Sequence, residues 1–230
     1  MPTMPAALAS GAEKLAARYA AVVVRNHRVS EHFVLLHCQG DRARHAPGDN
    51  ISVRVGDRDV RHYTVLTAEP GRFGVLVDLA PDGPGARWAR DVRPGTRVVT
   101  PPSGRPLRAR PGRRHLVLGD GTALATVRAV TADVAAAGAT AVSAVEAPAA
   151  DHDAIAGLAP DVHLVPSAAA PGVALEDHLP GLLDAPFDHV YLVGHAQSVQ
   201  RLRTSIRAAT GMNRRSIHTR IHWADGRRGL

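Results

Sequence analysis

A proline- and arginine-rich break, running from Pro101-Pro102 to Pro111-Gly112, separates two different hydrophobic rhythms in this 230-residue chain. Before it, β-branched runs recur at Ala21–Val24, His32–His37, Asn50–Val55, Val60–Leu66, Arg72–Leu79 and Thr96–Thr100. Turn signals at Pro47-Gly48-Asp49, Pro70-Gly71 and Pro94-Gly95 punctuate them, the pattern of a small antiparallel barrel. After the break, strand-like runs alternate with helical stretches: His115–Leu118, a helix to about Ala137, Ala139–Val145, Val162–Val165, Val190–Val193, a helix over 196–209 stopped at Gly211, and Ser216–Trp223. That alternation predicts a mostly parallel sheet with a ligand crevice at the carboxyl ends of its strands. The expected fold is therefore β-barrel plus α/β. Its segments are an N-terminal helix or arm over residues 1–20, a barrel domain over 21–110 and an α/β domain over 111–230, each domain long enough to bury a core.

Charge and cysteine usage narrow the function classes. The net charge is +7, but the arginines are spread along the chain and are not interleaved with aromatics, which argues against nucleic acid and for anionic small molecules. Cys38 stands alone, so there is no intramolecular disulfide and no CxxC pair. No run approaches 18 apolar residues and no charged n-region precedes an apolar stretch, so we expect no membrane association and a cytoplasmic protein. His218 and His222, four apart, lack an acidic or cysteine partner to complete a metal site. A Gly-x-Ser-x-Gly elbow is absent, which removes support for a hydrolase.

The most specific segment is Arg61-His62-Tyr63-Thr64, at the end of a predicted barrel strand. Strand alternation puts Arg61 and Tyr63 on one face. A guanidinium there suits a pyrophosphate, a phenol suits a flat ring, and Thr64 adds a polar group beside them, which together suit FAD. A structural strand with an exposed arginine and a half-buried tyrosine would read the same. About twenty residues later comes Asp82-Gly83-Pro84-Gly85-Ala86-Arg87-Trp88-Ala89, where small residues let backbone amides at a helix start approach an anion. Gly119-Asp120-Gly121-Thr122-Ala123-Leu124 is a second strand-to-helix turn of this type.

Taken in order, these motifs and the late Trp223 with Gly226 resemble the siderophore-interacting protein family, FAD-dependent ferric-siderophore reductases related to ferredoxin-NADP reductases. The resemblance runs from about residue 20 to the end. It implies that Arg61 binds the FAD phosphate, Tyr63 flanks the flavin and Thr64 approaches N5, with His62 in the same motif. Gly83, Pro84, Gly85 and Ala86 would cover the pyrophosphate, with Trp88 packed behind. Asp120, Thr122, Ala123 and Trp223 would lie where NADH or NADPH meets the flavin. By charge alone, the cluster Arg214, Arg215, Arg220, Arg227 and Arg228 suits either attraction of an anionic ferric siderophore or a solvated basic face.

Four positions depart from the family's pattern. Ala80 replaces a histidine before the pyrophosphate turn, and Ala86 replaces its hydroxyl residue. His195 stands for a glutamate in Val193-Gly194-His195-Ala196, and His222 for a tyrosine before Trp223. We therefore take Thr64, His195 and His222 as candidate catalytic groups. The leading expectation is NAD(P)H-dependent reduction of ferric siderophores. The alternative is the same scaffold recruited to specialised metabolism, acting on a polyketide-like substrate by reduction, cyclisation or isomerisation; a flavin or ligand carrier without catalysis is a third class.

Overall fold

A computed structural model of the chain describes residues 17–40 and 44–226. Most of the expected N-terminal arm lies outside these residues; 17–19 are helical. The described chain divides into two compact units, 17–28 with 34–105, and 29–33 with 106–226.

The first unit is a six-stranded antiparallel sheet of β1 (Ala20–Arg28), β2 (Phe33–Gln39), β3 (Asn50–Arg54), β4 (Val60–Glu69), β5 (Arg72–Asp78) and β6 (Arg97–Val99), ordered β3-β4-β5-β2-β1-β6. The break seen in the sequence begins by closing this sheet. Ser52 N donates to the Pro101 carbonyl, Ser103 N donates to the Asn50 carbonyl, and Ile51 bridges Pro102. The edges of β3 and β6 are thereby brought into a nearly closed barrel, which leaves few backbone groups unpaired. Alternate aliphatic positions of all six strands fill the interior, among them Val23, Leu36, Ile51, Val65, Val75 and Val98. A single helix, α1 (Pro84–Asp91), buries Gly85, Ala86 and Ala89 against this core. Asn26 holds its far end by donating to the Ala89 and Val92 carbonyls.

The second unit is a wholly parallel five-stranded sheet of β7 (Arg114–Asp120), β8 (Thr140–Ala147), β9 (His163–Pro166), β10 (His189–His195) and β11 (Ile217–Trp223), ordered β11-β10-β7-β8-β9. Its helices are α2 (Leu124–Ala136), α3 (His152–Ala156), α4 (Val173–Leu182) and α5 (Ala196–Thr210). The strand order reverses between β7 and β10, so the loops leaving those two strands diverge and open a crevice at their carboxyl ends. The strands carry near-continuous apolar runs, with Leu116, Leu118, Val190 and Leu192 fully buried, as a sheet covered on both faces requires.

Candidate functional site

In the first unit, β4 alternates as expected: Arg61 and Tyr63 are half-buried on one face and His62 is exposed. That face receives the start of α1. A Cβ added to Gly85 would stand 2.7 Å from the Tyr63 hydroxyl and 3.2 Å from Arg61 Cγ, so only glycine lets the helix start come this close. The Tyr63 ring lies stacked near Trp88, centroids 6.3 Å apart. Its hydroxyl is buried and has no hydrogen-bond partner among the described residues. Burial raises the phenol's pKa well above its ordinary value, against the opposing pull of Arg61, so the group stands as a protonated donor.

The helix start itself lacks a side-chain cap and has no acidic residue in its first turn among the described residues, which leaves amides and a positive dipole end available. Arg61 reaches only the Val60 carbonyl (2.8 Å) and, at 3.4 Å, Asp59. An unpartnered donor phenol, a guanidinium bonded only weakly to a carboxylate, and the amide end of α1 lie together. That donor set fits a pyrophosphate.

The other motif residues face elsewhere. His62 Nδ1 meets Ser103 Oγ (2.6 Å) and Ser52 Oγ (3.1 Å), on the side of β4 away from Arg61 and Tyr63. Thr64 is buried and its hydroxyl donates to Asn50 Oδ1 (3.1 Å). Ala80 is exposed, with its amide bonded to Asp78 Oδ1 (2.8 Å). The turn Gly83 to Ala86 is already helix from Pro84 onward, with Ala86 buried.

In the second unit, Asp120 occupies the switch point and ties its loops together. Oδ1 accepts from the Thr122 amide (3.0 Å) and hydroxyl (2.5 Å), while Oδ2 accepts from the His195 amide (2.6 Å) and Trp223 Nε1 (3.2 Å). Gly194 has φ +122°, and a Cβ there would collide with the Asp120 carboxylate. The bend that delivers His195 over α5 thus depends on glycine. Asp120 and Thr122, the residues expected near a nucleotide, bond to each other, and Asp120 also ties in β10 and β11. Ala123 is wholly buried behind them.

The His195 ring is almost fully buried, 4.3 Å from the Trp223 ring. Neither ring nitrogen has a hydrogen-bond partner among the described residues, and Nε2 lies 3.5 Å from Asp225 Oδ2. His222 Nδ1 donates to the Thr122 carbonyl (3.3 Å); burial holds its pKa below the ordinary imidazole value although Asp120 and that carbonyl pull upward. His195, His222, Trp223, Asp120 and Thr122 are therefore gathered at one end of the sheet.

The arginines expected beside them are not. Arg214 and Arg215 precede β11 at its amino end, whereas Trp223 pairs with His195 at its carboxyl end. Six strand steps, roughly 20 Å, separate Ile217 from Trp223. Arg220 is half-buried in mid-strand, and Arg227 and Arg228 lie outside the described residues.

Sequence reasoning passed over Glu146. It ends β8 level with Asp120, buried, with Oε1 accepting from the Gly172 amide (2.7 Å) ahead of α4. Burial raises its pKa despite that bond. Its signal was a lone charge inside the apolar run Ala144-Val145-Glu146-Ala147. Among the described residues no group of three His, Cys, Asp or Glu side chains is placed to hold a metal ion, and no helix is long and apolar enough to cross a membrane.

A near-closed antiparallel barrel together with a five-stranded parallel sheet matches the ferredoxin-NADP reductase-like class of folds. The siderophore-interacting protein family model matches residues 112–226, which is 115 of the chain's 230 residues, and the chain belongs to that family. Comparison with curated proteins gave no match. Among solved structures, the siderophore-interacting protein from Acinetobacter baumannii aligns with TM-score 0.73 at 16% identity over 90% of each chain. The protein SipS from Aeromonas hydrophila aligns with TM-score 0.70 at 19% identity, over 90% of this chain and 92% of that one. Phthalate dioxygenase reductase, described as a modular structure for electron transfer from pyridine nucleotides to [2Fe-2S], aligns with TM-score 0.66 at 17% identity over 88% of this chain and 67% of that one. At these identities the likeness carries the fold.

Proposed function

We propose that the chain is an FAD-dependent NAD(P)H oxidoreductase that reduces ferric siderophores and so releases Fe(II). The observation that carries this reading is the donor set of the barrel: a buried, unpartnered phenol, a guanidinium and an uncapped helix start, brought together by Gly85. Family membership and the reductase fold support a flavin-associated oxidoreductase role in the same direction.

In this reading Arg61, the Tyr63 hydroxyl and the amides of Gly85 and Ala86 would hold the pyrophosphate, Pro84 having no N–H to give. An unpaired buried hydroxyl costs about 1–3 kcal/mol, and pairing it on binding recovers that cost as affinity. In the second unit, Asp120 fixes the loops against which a nicotinamide nucleotide lies, and the apolar walls of Trp223 and His195 exclude water. Bound FAD would supply the redox chemistry, taking an electron pair from the nicotinamide and passing it on singly to ferric iron. The positive charge of the chain favours approach of anionic ligands.

The test is spectroscopic. Protein loaded with FAD is expected to bleach under anaerobic NADH or NADPH, and a chelator present with a ferric siderophore is expected to capture Fe(II). One observation favours the recruited scaffold: the His195 imidazole is buried at the crevice with neither nitrogen hydrogen-bonded among the described residues and the Asp225 carboxylate 3.5 Å from Nε2. Colourless protein that takes up no FAD would move the reading to that alternative, and bound FAD that nicotinamide does not reduce would identify a carrier.

A further inference from the structure

At the end of the parallel sheet opposite the crevice, Arg207, Arg214 and Arg215, with Gly211, Met212 and Asn213, line an open cleft of about 580 Å³. We propose that this cleft is a binding site for a small multivalent oxyanion, an oligophosphate or a polycarboxylate.

The charge balance is the first argument. No carboxylate lines the cleft or pairs with any of the three guanidiniums among the described residues. The carboxyl end of α5, from which Arg207 and Gly211 project, contributes about half an elementary negative charge. Three full positive charges exceed it severalfold. Arginine presents planar forked donors that match phosphate and carboxylate oxygens two at a time.

The second argument is that the backbone carrying these arginines is fixed. Gly211 ends α5 in the left-handed conformation, φ +67°, with its amide on the Arg207 carbonyl at 3.0 Å. Met212 N donates to Thr210 Oγ1 (3.2 Å). The chain then folds back into a short 3-10 helix over Arg214–Ser216, where Asn213 Oδ1 accepts from the Arg215 amide (2.9 Å) and the Asn213 carbonyl accepts from Ser216 N (2.9 Å). With both ends of the turn capped, a ligand need order only three side chains, which keeps the entropic cost of binding low. The cleft's volume falls in the range of small-molecule sites.

This site shares no residue with the barrel cradle or the crevice, so it stands whether or not the flavin reading holds. The test uses the full chain and isothermal titration with pyrophosphate and with citrate, each against sodium chloride at matched ionic strength. Saturable binding of either anion above the chloride background is expected. Arg214→Gln with Arg215→Gln should weaken it about tenfold or more, and Arg207→Gln alone about threefold. Arg72→Gln with Arg93→Gln, removing the same charge from exposed barrel positions, should leave it unchanged. Binding of pyrophosphate alone, citrate alone or both supports the site and identifies the oxyanion it prefers. Heats no larger than the chloride background, or equal weakening in the two double variants, overturn it.

Discussion

The two units handle their buried polar groups in opposite ways. At the barrel cradle a donor is left over: the Tyr63 hydroxyl has no hydrogen-bond partner among the described residues, and no side chain caps the start of α1. At the crevice the carboxylate of Asp120 is saturated, receiving bonds from Thr122 twice, from His195 and from Trp223. A buried group left unpaired is a standing cost, and a fully paired one is scaffolding. The contrast teaches that the cradle keeps a donor unspent, whereas the crevice is internally paired.

Removing the hub should separate the two most sharply. Asp120→Ala leaves several buried donors without an acceptor and is expected to destabilise the α/β unit by about 3–5 kcal/mol, read as a lowered urea midpoint, while the barrel's own transition stays in place. A barrel transition that moved equally would break the comparison. Next in size, Arg61→Ala should weaken FAD binding about 30-fold by flavin fluorescence, and Gly85→Ala about tenfold because its new Cβ must displace Tyr63. Unchanged flavin affinity in both would remove the cradle from the account. Ala86→Ser, which adds a hydroxyl at the third position of α1, should tighten FAD a few-fold.

A smaller effect comes from pH. His218 and His222 both have pKa values lowered by burial, His218 also by His189, Arg110 and His115. Each binds a proton less readily folded than unfolded, so its contribution to stability is fully present above about pH 6.5 and is lost as pH falls through the lowered value. The melting temperature of the α/β unit should therefore drop between pH 7.5 and 5, and replacing His218 by Phe should shrink that drop. The smallest effect concerns Cys38, whose thiol burial pushes up to about 12. It should resist iodoacetamide at pH 8 until the barrel unfolds.

Much of this architecture was legible in local pattern. The β-branched runs before Pro101 became β1 to β6, and the alternation after Gly112 became the parallel sheet, because period-2 and period-3.6 patterns report burial directly. Helix α4 escaped notice: Pro180 lies inside it and Gly172 and Gly181 flank or interrupt it, so it is held by packing of Leu175 and Leu179 rather than by propensity. The Arg61/Tyr63 face was legible for the same reason as the strands. The role of Asp120 was not, since its partners lie 75 and 103 residues further along. Nor does sequence proximity show that Arg214, just ahead of β11, and Trp223, at its far end, stand apart; nearby positions read as neighbours until six strand steps of about 3.3 Å each are laid between them.

Those same long separations set a timetable. Trp223 and His195 reach Asp120 only once β10 and β11 have paired beside β7, and closing such wide loops is slow compared with zipping a hairpin. The antiparallel hairpins β1–β2 and β3–β4–β5 of the barrel join strands close in the chain and can organise early, while the Asp120 hub is assembled among the last events of folding. A lesion anywhere in β11 would then act as an assembly defect at the hub, leaving a folded barrel beside an unfinished crevice.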